Sequence, residues 1–187
     1  LGLSLKQLRF ILPEEMKRVI LDTNIYGKIL EEFHQNLIRE SIEKRVLKEK
    51  FVIYGFDIIR KELRATSRNI KIGDTKVRIA LLSLYDILIG KHSLYINSET
   101  KNLAYQYYKV YKEFGGPSKE YEILNDFTIV AGASLKNLDV IYSDDNKTMV
   151  SEKAVKSYKI VNDIIKIRTP IFEDYSSFIK EIRRLLT

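Results

Sequence analysis

Short runs of β-branched and aliphatic residues recur along this chain, and long intervals with helical periodicity separate them. The runs are RVIL (18–21), FVIYG (51–55) and DVIYS (139–143). Each run has the length of a buried strand. Strands that alternate with helices predict βαβ units, in which a mainly parallel sheet is covered by helices on both faces. The predicted fold class is therefore α/β, a three-layer α/β/α sandwich.

The intervals between these runs carry apolar residues three and four positions apart, which predicts helices. We expect helices over residues 27–49, 57–68, 74–89, 98–114 and 118–136. After the third run we expect a short helix near 147–157, a strand near 159–165 and a last helix over about 174–186. A chain of 187 residues suits one domain of ordinary size. We expect a single domain over 1–187, with an N-terminal extension (1–17) and a C-terminal helical segment (166–187).

Composition narrows the chemistry that the chain can perform. It contains no cysteine, which excludes disulfides and thiolate metal sites, and only two histidines, so a metal would be held mainly by oxygen. No apolar stretch approaches the ~20 residues of a membrane span, and charges interrupt the N-terminus too often for a secretory signal. The simplest expectation is a cytoplasmic protein without a membrane partner. The net charge of +7 favours binding to a polyanion such as nucleic acid.

Acidic residues follow two of the predicted strands. Asp22 ends the stretch VILD, and Asp144 and Asp145 follow VIYS. Ligands of parallel α/β sheets bind beyond the carboxyl ends of the strands. We therefore expect these carboxylates to face the same edge of the sheet.

Two further acids lie where predicted helices meet the core. Glu62 follows Ile58 by four residues, and Asp126 precedes Val130 by four, so both border an apolar helical stripe. The adjacent run of small residues, 131–133, would let its helix approach a neighbour closely. A carboxylate near the core is costly unless a cation pairs with it.

Each acid also has an ordinary structural explanation. Asp22 could cap the following helix, and Glu62 could pair with Arg60, Lys61 or Arg64. The other acids could bond to a neighbouring amide or belong to a turn. These explanations do not account for acids at four places that converge on one end of the sheet. Carboxylates that share a pocket suit Mg²⁺ or Mn²⁺, and such sites activate water for phosphodiester cleavage.

At these residues the sequence resembles the PIN-domain family, and within it the VapC-type ribonuclease toxins. VILDTNIYG is similar to the family's opening strand and first acid, and DIIRKELRAT to the segment with the second acid, Glu62. LNDFTIVAGASLKNLDVIYSDD is similar to the helix of the third acid, Asp126, and the strand after it. The resemblance covers roughly residues 18–165. The chain departs from compact members in its N-terminal extension, the long interval between Glu62 and Asp126, and its C-terminal segment.

The resemblance implies an endoribonuclease with a PIN-like fold that uses Mg²⁺ or Mn²⁺ and cleaves RNA. Asp22, Glu62 and Asp126 would be metal ligands, and Asn24 and Ser143 polar groups that orient them. The hydroxyl-x-acid spacing favours Asp145 as the fourth acid, with Asp144 as the alternative. An antitoxin is the implied protein partner. Apolar surface in the long helical interval also makes a second copy of the chain an expected partner.

Two other functions compete with this one. A haloacid-dehalogenase-like phosphatase would need an aspartate two residues after Asp22, where this chain has Asn24. A non-catalytic RNA-binding module on the same scaffold would need no metal. Tyr105, Tyr107, Tyr108 and Tyr111 could stack on bases, but aromatic residues at helical spacing more often form core or dimer contacts.

Overall fold

The structure, a computed structural model, describes residues 16–32 and 51–184. The described strands are β1 (Lys17–Leu21), β2 (Phe51–Phe56), β3 (Lys71–Ile72), β4 (Thr75–Lys76), β5 (Ser93–Leu94), β6 (Val140–Tyr142) and β7 (Ile171–Glu173). The described helices are α1 (Thr23–Glu32), α2 (Asp57–Ala65), α3 (Val77–Ile89), α4 (Ser98–Glu113), α5 (Glu120–Leu135), α6 (Glu152–Ile165) and α7 (Tyr175–Arg184).

Five of these strands form one sheet in the order β5-β2-β1-β6-β7, and all four neighbouring pairs are parallel. β1 lies at the centre, where Val19 pairs with Ile53 of β2 and with Val140 of β6. The chain passes from β1 to β2 on one side of β1, and β6 and β7 occupy the other side. The gap between β1 and β6 is thus the point where the strand order reverses, which is the usual ligand site of such sheets.

Helices cover both faces of this sheet. Val19, Ile20 and Leu21 are successive residues that point to opposite faces, and each is 0% exposed. Burial of both faces requires a layer on each side. α1, α2 and α3 pack against one another, and α4 packs against α5 and α6. The predicted three-layer architecture is confirmed in the described part of the chain.

An aromatic cluster lies at the centre of the second group of helices. Tyr107 of α4, Phe127 of α5 and Tyr158 of α6 meet edge to face, with ring centroids 5.0 to 6.3 Å apart. The Tyr107 hydroxyl donates to Asn162 Oδ1 (2.6 Å), so its burial leaves no unpaired polar group. Burial of these large rings fixes α5 against the sheet, and α5 carries Asp126.

The sequence prediction is wrong over residues 147–165. The strand predicted over residues 159–165 does not form: these residues lie inside α6, which begins at Glu152 rather than near 147. The run KIVNDII (159–165) is rich in β-branched residues, which favours a strand locally. Packing overrides this preference, because Ala154, Tyr158, Val161 and Asn162 share one buried helical face. β7, at the end of the sheet, comes instead from residues 171–173.

Other boundaries differ in smaller ways. The helix expected over 27–49 is described as α1 from Thr23 to Glu32, and residues 33–50 lie outside the described part. The expected helix over 74–89 begins at Val77, after an antiparallel hairpin of β3 and β4 whose turn contains Gly73 at φ 57°. Within the segment 166–187, residues 171–173 join the sheet and α7 follows. Most of the extension 1–17 lies outside the described residues.

No helix among the described residues is long and apolar enough to cross a membrane.

Candidate active site

Three neighbouring strands bring the candidate residues to one edge of the sheet. Asp22 directly follows β1, Ser143 to Asp145 directly follow β6, and Glu62 lies in α2, which begins where β2 ends. Asp126 comes from the middle of α5. The four acids thus reach the crevice between β1 and β6 from four elements, as the sequence analysis predicted for the carboxyl ends of the strands.

Asp22 is 6% exposed and is held by three short hydrogen bonds. The Thr23 amide donates to Oδ1 (2.7 Å), while the Ser143 hydroxyl and the Asn24 side-chain amide both donate to Oδ2 (2.6 Å each). Its own amide donates to the Tyr142 carbonyl (2.9 Å), which extends the pairing of β1 with β6 by one residue. Asn24 and Ser143 therefore orient the carboxylate across the crevice.

Burial raises the pKa of Asp22 above its ordinary value, and the negative charges of Glu62 and Asp145 raise it further. Hydrogen bonds from Ser143 and Thr23 offset part of this rise, because they stabilise the charged form. An acid that only capped α1 would feel no such repulsion from two distant acids. The position of Asp22 thus differs from that of an ordinary capping residue.

Glu62 faces the crevice and does not pair with the basic residues of its own helix. Its Oε2 accepts a hydrogen bond from the Thr23 hydroxyl (2.6 Å), and its Oε1 accepts a long one from the Asn125 side chain (3.5 Å). Arg60, one of the expected partners, instead makes two 3.0 Å hydrogen bonds to Asp86 on α3. Thr23 therefore connects the two acids, because its hydroxyl donates to Glu62 and its amide to Asp22.

Asp126 is the most perturbed of the acids. Burial raises its pKa to about 7, and the charges of Asp22, Asp145 and Glu62 add to the rise. The nearby Thr148 hydroxyl offsets part of it. Asp22 and Asp126 thus each experience the charges of Glu62 and Asp145, and Asp126 also experiences that of Asp22, although these acids come from distant parts of the sequence. Mutual repulsion of this kind is typical of functional sites.

Asp145 and Asp144, adjacent in sequence, have different surroundings. Asp145 accepts hydrogen bonds from the Lys147 and Thr148 amides (3.0 Å each) and from the Thr148 hydroxyl. It is also among the charges that raise the pKa of Asp22 and of Asp126. Its amide donates to the Ser143 hydroxyl (3.1 Å), which itself donates to Asp22.

Asp144 turns toward the first and last helices. Its Oδ2 lies 2.6 Å from the Lys28 ammonium of α1, and its Oδ1 accepts the amide of Tyr175 at the start of α7 (3.1 Å). Its amide donates to Asn24 Oδ1 (3.1 Å). This carboxylate is therefore already paired with a cation. Of the two adjacent acids, Asp145 is the one grouped with Asp22 and Asp126.

A divalent cation fits the donor chemistry of this crevice. The ion pairs among the described residues include none of Asp22, Glu62, Asp126 and Asp145, so their repulsion is not offset by a described lysine or arginine. Their oxygens are hard donors of the kind that Mg²⁺ and Mn²⁺ prefer. Yet within 16–32 and 51–184 no three acidic or histidine side chains form a ready-made metal-binding group.

Sequence reasoning missed three polar residues of this site: Thr23, Asn125 and Thr148. Each lies beside a predicted acid, either next to it in the chain or, for Thr148, three residues after Asp145. That last spacing is the local signal of an Asp-capped turn. The contact of Thr23 with Glu62 had no local signal, because 39 residues separate the two.

A cleft of about 780 Å³ adjoins the site between α2, α4 and α5. Glu62 and Asn125, which contact each other, form part of its wall, so the cleft borders the candidate site at Glu62. Ile58, Ile96 and Leu124 supply apolar surface. A volume of this size is within the range of small-ligand sites.

Comparison with known proteins gives matches only among solved structures. No family model and no curated protein matches the sequence. The chain is similar to one in VapBC2 from Rickettsia felis bound to a promoter DNA fragment, with a TM-score of 0.54 and 15% identity over 84% of this chain and 98% of that one. DNA-bound VapBC from Salmonella typhimurium matches with a TM-score of 0.51 and 16% identity over 86% and 99%.

A third similar structure is FitAcB from Neisseria gonorrhoeae, with a TM-score of 0.51 and 16% identity over 84% of this chain and 97% of that one. At such identities the likeness establishes the fold and not the chemistry. The mainly parallel α/β/α fold expected from the sequence, PIN-like in its arrangement, is thereby confirmed.

Proposed function

We propose that this chain is a metal-dependent endoribonuclease of the VapC type. The observation that carries the proposal is the crevice between β1 and β6, where burial and the charges of acids from separate elements raise the pKa values of Asp22 and Asp126. Acids that repel one another in a buried crevice are costly to stability, which favours a functional reason for keeping them together.

Asp22, Glu62, Asp126 and Asp145 would hold Mg²⁺ or Mn²⁺, directly or through water. When bound, such a cation lowers the pKa of a water molecule and offsets the negative charge that develops on a phosphoryl group. Ser143 and Asn24 orient the Asp22 carboxylate, and Thr23 orients Glu62. The remaining acid, Asp144, is the alternative ligand, but its contact with Lys28 makes it the weaker candidate.

RNA is the proposed substrate, and the net charge of +7 supports approach to its phosphates. The similar structures are two-component VapBC and FitAcB complexes. Their likeness supports a protein partner for this chain as well, which would be an antitoxin. Self-association into a homodimer and a cytoplasmic location remain predictions from the sequence.

The test is a cleavage assay of the purified chain on single-stranded RNA, structured RNA and DNA, with Mg²⁺, Mn²⁺ or EDTA. We expect RNA cleavage with a divalent cation and none in EDTA. Asp22→Asn and Asp126→Asn should each lower the rate by at least about 100-fold, since each removes a charged ligand. Asp163→Asn, an exposed acid on α6, is the matched control and should cleave like the parent.

Full activity of both Asp22→Asn and Asp126→Asn would overturn the proposal. A direct comparison of Asp145→Asn with Asp144→Asn then identifies the fourth acid, and we expect the larger loss for Asp145→Asn. Circular dichroism of every variant checks that the fold is retained.

A second candidate function is a non-catalytic RNA-binding module. The observation that favours it is the lack, among the described residues, of three side chains already gathered around a metal position. Under this alternative, RNA binds without cleavage, and calorimetry detects no Mn²⁺ binding that depends on Asp22.

A further inference from the structure

The cleft beside Glu62 differs from the crevice in its charge. Lys61 and Lys101 lie on its walls, on α2 and α4 respectively, and both are exposed. Neither forms an ion pair with another residue of 16–32 or 51–184. Two lysine side chains therefore line a cleft whose wall also includes Glu62, one of the proposed catalytic acids. Such an arrangement is complementary to the phosphates of a nucleic acid strand.

Tyr105 adds an aromatic surface to the same wall. It lines the cleft and is 44% exposed, whereas Tyr107 and Tyr111 of the same helix are 0% and 1% exposed and belong to the core. Of the core or dimer contacts expected for these tyrosines, core burial is confirmed for Tyr107 and Tyr111. Tyr105 lies outside the core, and a dimer contact there stays a prediction. An exposed ring in a cleft offers a flat face on which a base can stack.

Lysine and tyrosine side chains alternate along one face of α4. Lys101 precedes Tyr105 by four residues and Lys109 follows it by four, so the three side chains lie on one helical face about 6 Å apart along the axis. The Lys109 ammonium lies 4.8 Å from the centroid of the Tyr105 ring. Of these three residues, Lys101 and Tyr105 line the cleft.

We propose that this cleft binds an unpaired nucleotide of single-stranded RNA next to the cleaved bond, with its base on Tyr105 and neighbouring phosphates at Lys61 and Lys101. The inference rests on the proposed nuclease function and specifies the form of the substrate. A base in a duplex is stacked on its neighbours and cannot reach the ring, so the cleft selects single strands. Ile58 and Leu124 supply apolar surface to the cleft, which favours transfer of a base from water into it.

The experiment measures binding separately from cleavage. Asp22→Asn in EDTA is titrated with a fluorescein-labelled ten-nucleotide oligouridine, and the affinity is measured by anisotropy at several salt concentrations. Tyr105→Ala added to this background should weaken binding by about 5- to 100-fold and leave the salt dependence unchanged, because stacking involves no charge. Tyr105→Phe keeps the ring and should bind within about twofold of the background.

The lysine variants should show a different pattern. Lys101→Ala should weaken binding and reduce the slope of log K against log salt by about 0.7, as expected for one lost contact with a single-stranded phosphate. Lys61→Ala should do the same. Tyr95→Ala and Lys156→Ala are the matched controls, since both residues are exposed and lie outside the cleft, and neither should change the affinity.

Affinities and salt slopes of Tyr105→Ala and Lys101→Ala equal to those of the controls would overturn the inference, as would equal binding of a matched duplex. That result together with metal-dependent cleavage by the parent chain would refute the cleft alone and leave the nuclease in place. The expected binding pattern without cleavage under any metal condition would refute the nuclease and retain the cleft. Loss of affinity for a partner protein, with RNA binding unchanged, would assign the cleft to that protein and refute the inference.

Discussion

Asp126 shows how a single carboxyl group can lower the stability of the fold that contains it. Its pKa rises from 3.8 to about 7 on folding, first through burial and then through the charges of Asp22, Asp145 and Glu62. Between about pH 4 and 7 the folded state therefore binds a proton that the unfolded state has released. By linkage, this group lowers the free energy of unfolding as the pH rises through that window.

Replacement of Asp126 by Asn should therefore stabilise the metal-free chain at high pH. At pH 8 in EDTA we expect a gain of about 1–3 kcal/mol in the free energy of unfolding, and at pH 4 a difference below about 0.5 kcal/mol. Urea unfolding at the two pH values measures both quantities. Asp163→Asn serves as the control and should show no such pH dependence. Equal stabilities of Asp126→Asn and the parent at pH 8 would contradict the assigned electrostatics.

Sequence could predict the acids of this site better than their polar partners. Asp22 and Asp145 follow strands, and Glu62 borders an apolar stripe, so each has a signal within a few residues. The bond from Thr23 to Glu62 has none, because it depends on how α2 packs beside α1. Sequence favours Asp145 but keeps Asp144 as the alternative, since only tertiary packing brings Lys28 and Tyr175 to Asp144.

At the scale of an element, the close packing of α5 against the sheet depends on a glycine, Gly132. A Cβ atom on Gly132 would lie 2.4 Å from two ring carbons of Phe56, the last residue of β2. The small residues 131–133 therefore let α5 approach the sheet closely, as predicted from the sequence. This approach sets the distance between Asp126 and the strand ends.

Gly132→Ala should accordingly destabilise the chain by about 1–3 kcal/mol, because the Phe56 ring or the helix must move. Gly27→Ala is the matched comparison: it lies inside α1, and its Cβ would meet no atom within 4 Å. It should stabilise the chain by about 0.5–1 kcal/mol through helix propensity alone. Urea unfolding at one pH gives both values. Effects of the same sign would show that the packing of α5 is not close at this point.

In α6 the local sequence pattern does not predict the secondary structure. Ile160, Val161, Ile164 and Ile165 are β-branched, yet Ile164 is 72% exposed while Asn162 is fully buried. Asn162 is satisfied by Tyr107 and Ser134, which lie on α4 and α5. Local propensity contains no information about such partners. The neighbouring helices α4 and α5 therefore determine which face of α6 is buried.

At the scale of the whole molecule, metal binding should appear as added stability. A cation that binds only the folded state raises the free energy of unfolding by about 2.7 kcal/mol at 100 times its dissociation constant. For a chain of this size that corresponds to a rise of about 5–10 °C in the unfolding midpoint. We expect such a rise for the parent chain with Mn²⁺, measured by differential scanning calorimetry against an EDTA reference.

Asp22→Asn and Asp126→Asn should lose most of this rise, while Asp163→Asn should keep it. Because the readout is thermal, it reports metal binding even under conditions where no RNA is cleaved. A rise of equal size in all four proteins would mean that Mn²⁺ binds elsewhere and would contradict the assignment of the crevice as a metal site.

Because β1 lies at the centre of the sheet, the acidic crevice can form only after β6 has been synthesised. β1 is made early, but one of its two neighbours is β6, and residues 140–142 must have left the ribosome before the strands can pair. Asp126 and Asp145 are made equally late. Since strands distant in sequence pair slowly, the nascent chain carries Asp22 without the other walls of the crevice until residues 126–145 have emerged. If the proposed nuclease activity needs the whole crevice, the messenger that encodes this chain is protected from it until the ribosome has passed the codon of Asp145.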